Sequence, residues 1–182
     1  MRILELGCGN KKGCGCPYKG EITGVDADPK SQADVIWNLE KFPYPFKDSE
    51  FDAVYSHHCV EHLGDTLKVM EEIARITKPH GKVTMLVPYG KGRLALGNVT
   101  HKKFFSAEAI NSVAGFNQKI KVLKSEYHLI HRGFPELQNW KGRLLRQLAT
   151  PIDFLINLNP GLYERIGLFP ADEIEWELEV VK

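Results

Sequence analysis

A group of titratable side chains occupies positions 57 to 62, which read His-His-Cys-Val-Glu-His. Histidine can exchange a proton near neutral pH, and a neutral imidazole is also a common metal ligand. The mostly apolar residues 52–56 before the group predict a buried strand. Parallel α/β sheets place their chemistry just beyond the carboxyl ends of strands, so the group is a candidate site. Its members are His57, His58, Glu61 and His62.

Residues 58–62 also match the H-x-x-E-H pattern of inverted zinc peptidases, in which two histidines on one helix bind zinc. Such a site needs an extended helix and a third ligand, whereas this pattern follows a predicted strand and stops just before Gly64. Cys14 and Cys16 have no matching second pair, which a thiolate zinc site would require. The sequence therefore predicts that the protein binds no metal.

A glycine-rich segment follows the first apolar run of the chain. Residues 3–6 are typical of a short parallel strand that is buried on both faces, and the glycines break it. Glycine lets the backbone approach a ligand closely, and in a doubly wound sheet this loop lies beside the nucleotide-binding crevice. The glycines are Gly7, Gly9 and Gly13. A tight strand-to-helix turn that binds nothing is the alternative interpretation.

An acidic residue at the end of the second apolar run favours a ligand. Residues 22–25 lead into Asp26, about 20 residues after the loop, where a carboxylate can accept hydrogen bonds from ribose hydroxyls. The loop is not the G-x-G-x-x-G of dinucleotide enzymes, because Lys12 stands at the position of the third glycine. The pattern therefore argues against a nicotinamide-dependent oxidoreductase.

Five blocks of sequence occur in a characteristic order. They read Leu-Glu-Leu-Gly-Cys-Gly at 4–9, Gly-Val-Asp at 24–26, Ala-Asp-Val-Ile-Trp-Asn-Leu at 33–39, Phe-Asp-Ala-Val-Tyr-Ser-His-His-Cys-Val-Glu-His-Leu at 51–63 and Glu-Ile-Ala-Arg-Ile-Thr-Lys-Pro-His-Gly at 72–81. In order and spacing they resemble the class I S-adenosylmethionine-dependent methyltransferases, especially the small "type 11" members. The resemblance covers residues 1–105.

The resemblance implies that the chain binds S-adenosylmethionine and releases S-adenosylhomocysteine. The residues that it assigns to the cofactor are Glu5, Gly7, Cys8, Gly9, Asp26, Ala27, Asn38, Leu39 and Ser56. Glu5, Gly7 and Gly9 would serve the methionine end and the loop, Asp26 the ribose, and Asn38 with Leu39 the adenine. Asn38 also fits a cap for the turn before Glu40.

The resemblance also places a histidine near the transferred methyl group, either His57 or His58. Glu61 and His62 would then mostly orient the turn that follows. The segment Thr-His-Lys-Lys-Phe-Phe-Ser at 100–106 is similar to one in close relatives, which makes His101 a further candidate. A solvated basic turn is the alternative for that segment. If the acceptor is a hydroxyl, His57, His58 and His101 are the available general bases.

Apolar periodicity predicts the other elements. We expect an amphipathic helix over 65–77 that Asp65 caps and Pro79-His80-Gly81 ends, a strand at 82–88 and a helix that Ser106 caps. An edge strand at 119–129 and a clearly alternating strand at 174–181 follow. With the resemblance, this predicts a Rossmann-like, doubly wound α/β fold. Its seven-stranded sheet would be mostly parallel, with an antiparallel C-terminal strand and a helical insertion before it.

Residues 131–169 form that insertion in a single domain of 182 residues, between a core at 1–130 and the final strand at 170–182. Their apolar positions predict two short amphipathic helices around Thr150-Pro151. Because we expect no segment before the first strand to cover the cofactor, residues 140–158 are the candidate cap over the acceptor pocket or dimer face. A membrane-surface patch is disfavoured, since the helices are short and their basic face carries few charges.

Composition decides little about function but disfavours nucleic acid and gives no sign of a membrane span. Hydrophobic residues make up 43% and charged residues 26%, as in soluble globular proteins, and no stretch approaches the roughly 20 apolar residues of a membrane span. Lys and Arg number 24 against 23 Asp and Glu, so a formal charge of +1 disfavours nucleic acid. Met1 leads directly into a predicted strand, so we expect a cytoplasmic protein with reduced cysteines.

These observations predict an enzyme that transfers a methyl group from S-adenosylmethionine to an oxygen or nitrogen of a small-molecule acceptor. Two other functions are kept as alternatives. One is a non-catalytic S-adenosylmethionine-binding or scaffold domain, and the other is the nicotinamide-dependent oxidoreductase. The identity of the acceptor and the oligomeric state are left open by these residues.

Overall fold

The computed structural model describes residues 1–129, 140–166 and 171–182. Its strands are β1 (Arg2–Leu6), β2 (Glu21–Asp26), β3 (Val35–Ile36), β4 (Phe51–His57), β5 (Thr77–Pro88), β6 (Ile120–His128) and β7 (Glu173–Val180). Its helices are α1 (Thr66–Ile76), α2 (Arg93–Leu96), α3 (Ala109–Phe116), α4 (Trp140–Leu158) and α5 (Pro160–Ile166). A short 3-10 turn, Val60–His62, follows β4.

The strands form one seven-stranded sheet in the order β3-β2-β1-β4-β5-β7-β6. Pairs from β3 to β5 are parallel, whereas β7 runs antiparallel to both β5 and β6. The predicted fold class is therefore confirmed. The strand order reverses between β1 and β4, so the loops that follow these two strands diverge and leave a crevice at the carboxyl edge.

Apolar side chains on both faces of the central strands form the core. Ile3, Leu4 and Leu6 of β1 are all fully buried, as expected for a parallel strand covered on both sides. On one face α1 buries Val69, Met70, Ile73 and Ile76. At the far side of the sheet, Trp176 of β7 is buried against the edge of the Phe105 ring.

The end of α1 differs from the sequence prediction. The helix ends at Ile76 and β5 begins at once with Thr77, so Pro79-His80-Gly81 lies inside the strand. The Thr77 hydroxyl donates a hydrogen bond of 2.6 Å to the Ile73 carbonyl, which closes the last turn. Pairing with β4 then shifts between Phe51 and Ala53, so residues 78–81 bulge away from the ladder.

The start of α3 also differs from the prediction. Ser106 is not its cap: the helix begins at Ala109 after Glu108, and Ser106 contributes only its carbonyl to the Ala109 N–H. A backbone turn at 106–108 therefore precedes the helix in place of a side-chain cap.

The prediction of two helices meeting at Thr150-Pro151 is wrong. Helix α4 continues through Pro151, and the second helix, α5, starts only at Pro160. An interior proline costs about 3 kcal/mol, but hydrogen bonds to β6 hold the second half of α4 in place. The Leu129 N–H donates to Asp153, and Asn157 pairs with both backbone groups of Tyr127 at 2.8 Å. These contacts stabilise the helix beyond the proline.

Asp65 provides a test of the helix assignment. Its carboxylate accepts the Lys68 N–H at 3.1 Å, as predicted for an N-cap. We expect Asp65→Ala to lower the free energy of unfolding by about 0.5–2 kcal/mol in a urea titration, because one N-terminal N–H loses its acceptor. Asp65→Asn is the control, since its amide oxygen can cap equally well. Equal losses in both variants would contradict the capping role.

Candidate functional site

A cavity of about 220 Å³ opens at the carboxyl edge of the sheet, where the loops after β1 and β4 diverge. Its lining comes from the ends of four strands, as the strand order requires. The lining residues are Gly7, Asp26, Ala27, Asn38, Leu39, His58, Cys59, His62 and Leu63. A neighbouring cavity of about 240 Å³ shares Leu39 and Leu63 with it. The two cavities together form a groove along the ends of β1 to β4.

The glycine loop packs tightly against the loop that follows β4. Gly7 has φ +69°, and a Cβ placed on it would lie 2.5 Å from the Sγ atom of Cys59. Its N–H donates to the Val25 carbonyl at 2.8 Å. Glu5, buried in β1, accepts the Gly13 N–H at 2.6 Å and so holds the far end of the loop. Burial raises the pKa of Glu5, while this hydrogen bond opposes the rise.

Gly9 is not tightly packed as Gly7 is, because it faces open space. Its φ is +50°, and no atom lies within 4 Å of the position that a Cβ would take. Its N–H donates to the Asp26 carboxylate at 2.9 Å, and the second oxygen of Asp26 accepts the Asp28 N–H at 2.9 Å. A carboxylate can accept about four hydrogen bonds, so Asp26 keeps capacity for the hydroxyls of a ribose.

Asn38 caps a turn and also lies at the cavity. Its side-chain oxygen accepts the Glu40 N–H at 2.9 Å and so caps the turn after β3. It also lines the cavity, beside the mostly buried Leu39. A carbonyl oxygen has two lone pairs, so the cap leaves one for an exocyclic amine.

The histidine side of the site lies around a buried carboxylate from the far end of the chain. The Nε2 atom of His58 lies 3.2 Å from the Oε2 atom of Glu173, and that of His57 lies 3.9 Å from the same oxygen. Burial lowers the pKa of both histidines to about 4. Both rings are therefore neutral at pH 7. His58 lines the cavity and His57 lies beside it, with their rings 4.8 Å apart.

His101 joins this side of the site through a short loop. The backbone N–H groups of Lys102 and Lys103 both donate to the Glu61 carbonyl, at 2.8 and 3.1 Å. This pins the loop onto the 3-10 turn and brings the rings of His62 and His101 to 4.8 Å. Residues 58–62 do not lie on an extended helix, so the arrangement of inverted zinc peptidases is absent here.

The structure thus gathers most, but not all, of the predicted site residues. Five predicted cofactor residues line the cavity: Gly7, Asp26, Ala27, Asn38 and Leu39. Four others lie behind or beside it: Glu5, Cys8, Gly9 and Ser56. Burial raises the pKa of the Cys8 thiol to about 11, and the buried Ser56 hydroxyl has no hydrogen-bond partner in the described parts of the chain. Their roles toward the cofactor stay predictions.

Sequence reasoning missed several residues of the site. Cys59 and Leu63 line the cavity; both lie in the block at 51–63, but no role was assigned to them. Glu173 begins β7, more than a hundred positions after His58, and no local pattern connects the two. In the sequence, Glu173 alternates with the apolar residues of its strand. This pattern is typical of an ordinary acid that faces solvent.

Comparisons with known proteins agree with this geometry. Residues 4–85 match the model of a family described as a methyltransferase domain. Over 49 residues the chain is 45% identical to phosphoethanolamine N-methyltransferase 2 of Caenorhabditis elegans, covering 27% of this chain and 11% of that protein. Over 44 residues it is 43% identical to glycine/sarcosine/dimethylglycine N-methyltransferase of Actinopolyspora halophila, covering 24% of this chain and 8% of that protein.

A similar fold occurs in a solved structure, a SAM-dependent methyltransferase from Archaeoglobus fulgidus. The TM-score is 0.61 at 19% identity, covering 98% of this chain and 85% of that one. The sheet order and the crevice define a Rossmann-like, nucleotide-binding class of protein. Within it, residues 4–85 match the methyltransferase-domain family, and the chain is similar in fold to S-adenosylmethionine-dependent methyltransferases. The chain spans only about a tenth of the length of these two curated relatives.

The two glycines give a test of the crevice geometry. We expect Gly9→Ala to lower the free energy of unfolding by about 1–2 kcal/mol, the cost of a left-handed backbone for a non-glycine residue. Gly7→Ala carries the same backbone cost plus about 1–3 kcal/mol of overpacking against Cys59. Urea unfolding of both variants measures the difference. Equal losses would mean that the two loops are not in close contact.

Proposed function

We propose that the protein transfers a methyl group from S-adenosylmethionine to a small-molecule acceptor. The observation that supports this most directly is the composition of the cavity. One wall carries the glycine loop, Asp26 and Asn38, and the other carries His58 and His62. A nucleoside-binding wall thus faces a wall of side chains that can bind or deprotonate an acceptor.

The residues present fit the cofactor. Asp26 would hold the ribose with its remaining lone pairs, and Asn38 with Leu39 would contact the adenine. The open space above Gly9 provides room for the methionine end. A volume of about 220 Å³ is below the roughly 300–1,000 Å³ of typical small-molecule sites. The adjoining cavity of about 240 Å³ brings the groove into that range.

The protein would contribute mainly alignment. When bound, the cofactor would supply a methyl group on a positively charged sulfur, which is already activated for transfer to an acceptor lone pair. The walls of the groove would hold the acceptor in line with that bond, and such positioning accounts for a large share of many enzymatic rates.

A base is needed only if the acceptor atom carries a proton in its reactive state. His57, His58 and His101 are the proposed candidates. His58 is the one that lines the cavity, and its Nε2 atom is held by Glu173. Its lowered pKa makes it a neutral acceptor of that proton at pH 7, although a weak one. His101 is buried behind His62, so it would act through that residue.

A small acceptor suits the enclosed groove and the balanced charge of the chain. The two curated relatives are named for phosphoethanolamine and for glycine, sarcosine and dimethylglycine. None of the described helices is long and apolar enough to cross a membrane. A cytoplasmic location stays a prediction from the sequence.

Calorimetry separates the candidate functions. Titration with S-adenosylmethionine, S-adenosylhomocysteine and NAD should show binding of the first two and none of the third. Binding without turnover on a panel of small amines and hydroxyl compounds would favour the non-catalytic alternative. Binding of NAD alone would contradict the proposal.

Asp26 tests the cofactor assignment. We expect Asp26→Ala to weaken S-adenosylhomocysteine binding by about 1.5–3 kcal/mol, the range for hydrogen bonds to a charged group, or about 10- to 150-fold. Calorimetry measures the dissociation constant, and circular dichroism verifies folding. Asp28→Ala is the matched control, because Asp28 is exposed and bonds only within its own turn. An unchanged constant in folded Asp26→Ala would exclude the assignment.

Helix α4 suggests how the chain associates. Its buried face carries Ala149 and Ile156, whereas a second apolar stripe faces solvent. The stripe comprises Leu144, Leu148, Leu155 and Leu158, which are 47 to 65% exposed. Their spacing is that of a helix–helix seam. None of the α4 residues whose side chains the structure describes lines the cavity, so we favour a dimer face formed with a second copy over a cap on the acceptor.

The stripe can be tested by a double substitution. Leu148→Glu with Leu155→Glu should convert a dimer into a monomer in sedimentation velocity, because two buried charges would face their own copies across the seam. Binding of S-adenosylhomocysteine should stay within a few-fold. Lys121→Glu, on the exposed edge of β6, is the charge-matched control. A wild-type protein that is monomeric at all concentrations would contradict the dimer. A double variant with altered acceptor preference would support the cap instead.

A further inference from the structure

Glu61 is a buried carboxyl group without a hydrogen bond. It is 1% exposed, and neither of its carboxylate oxygens has a hydrogen-bond partner in the described parts of the chain. Buried polar groups are nearly always paired, and those that are not call for an explanation. The methyl-transfer proposal does not use this side chain.

Three imidazole nitrogens surround one oxygen of this group. The Oε1 atom of Glu61 lies 3.5 Å from Nδ1 of His58, 3.9 Å from Nε2 of His101 and 4.0 Å from Nε2 of His62. These distances are too long for hydrogen bonds. Ligand atoms about 2.0–2.1 Å from a tetrahedral ion lie roughly 3.3–3.4 Å from one another. The spacing is therefore closer to that of ligands sharing an ion.

The second nitrogen of each ring is already bonded to an acceptor. His58 Nε2 contacts Glu173 at 3.2 Å, His62 Nδ1 contacts the Thr100 carbonyl at 3.3 Å, and His101 Nδ1 contacts the Ala95 carbonyl at 2.9 Å. These hydrogen bonds assign the N–H to that nitrogen. In a neutral ring the lone pair then points toward Glu61. Metal-binding histidines are held by carboxylates and carbonyls in the same way.

We propose that Glu61, His62 and His101 bind one divalent cation, for which zinc is the best chemical match. Imidazole and carboxylate are usual zinc ligands. A cation would satisfy the buried carboxylate and the facing lone pairs at once, which a single proton on Glu61 cannot do. The sequence predicted no metal because no third ligand was evident. His101 supplies it, since the loop at 100–103 is pinned to the Glu61 carbonyl.

The cation site would lie at the wall of the cavity that carries His58 and His62, which we propose faces the acceptor. With a cation bound to Glu61, His62 and His101, His58 would lie beside the cation, with its Nδ1 atom 3.5 Å from Glu61 Oε1. The cation-binding inference itself does not depend on methyl transfer, and its test needs no acceptor.

The experiment measures metal binding by the full chain. Protein stripped with a chelator is titrated with zinc in competition with a chromophoric chelator, and elemental analysis gives the stoichiometry. We expect one zinc per chain in the wild type. His101→Asn and Glu61→Gln should weaken binding by at least about 100-fold, since loss of outer-sphere partners alone costs about 10- to 100-fold. His80→Asn, at an exposed histidine of β5, is the matched control and should bind as the wild type does.

Folding and the source of the ligands are checked separately. Circular dichroism follows each variant, and His62→Asn, at the most exposed ligand, replaces any variant that does not fold. Cobalt substitution should give visible bands of a tetrahedral nitrogen and oxygen site. A thiolate charge-transfer band would assign the metal to the cysteine loop and overturn the proposal. So would a wild type that binds no zinc, or unchanged affinity in His101→Asn and His62→Asn. S-adenosylhomocysteine binding, measured in the same samples, tests the cofactor site independently.

Discussion

The close approach of two loops at the reversal of strand order is the constraint on which the site depends. Strands β1 and β4 are neighbours, yet their following loops turn to opposite faces of the sheet. A side chain at Gly7 would occupy the same space as Cys59. Gly7 therefore lets the loop after β1 come into close contact with the histidine-containing loop after β4. Asp26 then holds the loop by accepting the Gly9 N–H with its carboxylate.

The second constraint is the burial of acids beside histidines. Glu61 and Glu173 are almost completely buried, and each lies within 4 Å of imidazole nitrogens. Burial of a carboxylate is costly unless it is paired, so such groups are retained where they hold other groups in position. Glu173 orients His58 from one side, and Glu61 faces it from the other. The orientation of the His58 ring thus depends on Glu173 and Glu61, which do not line the cavity.

Local patterns predicted the glycine loop and the strand ends that line the cavity because their determinants are local. The apolar run of β1, the glycines after it and the acid that ends β2 are each readable within a few residues. Asp65 was predictable as a cap for the same reason. Pro151 was misread because propensity favours a break there, and only the hydrogen bonds of Asp153 and Asn157 to β6 outweigh it. Glu173 could not be predicted, since its role exists only after β7 pairs with β5.

The antiparallel strand couples the two halves of the chain. The family match ends at residue 85, within β5, so β6, the helices after it and β7 lie beyond the shared region. Yet Glu173, the first residue of β7, lies 3.2 Å from His58. In the chain, β7 comes after α4 and α5. Tyr127 of β6 contacts Tyr163 and Glu164 of α5, which ties that segment to the sheet. The histidines after β4 are therefore held by residues from the C-terminal part of the chain, whereas the glycine loop and Asp26 are held by contacts within β1 to β3.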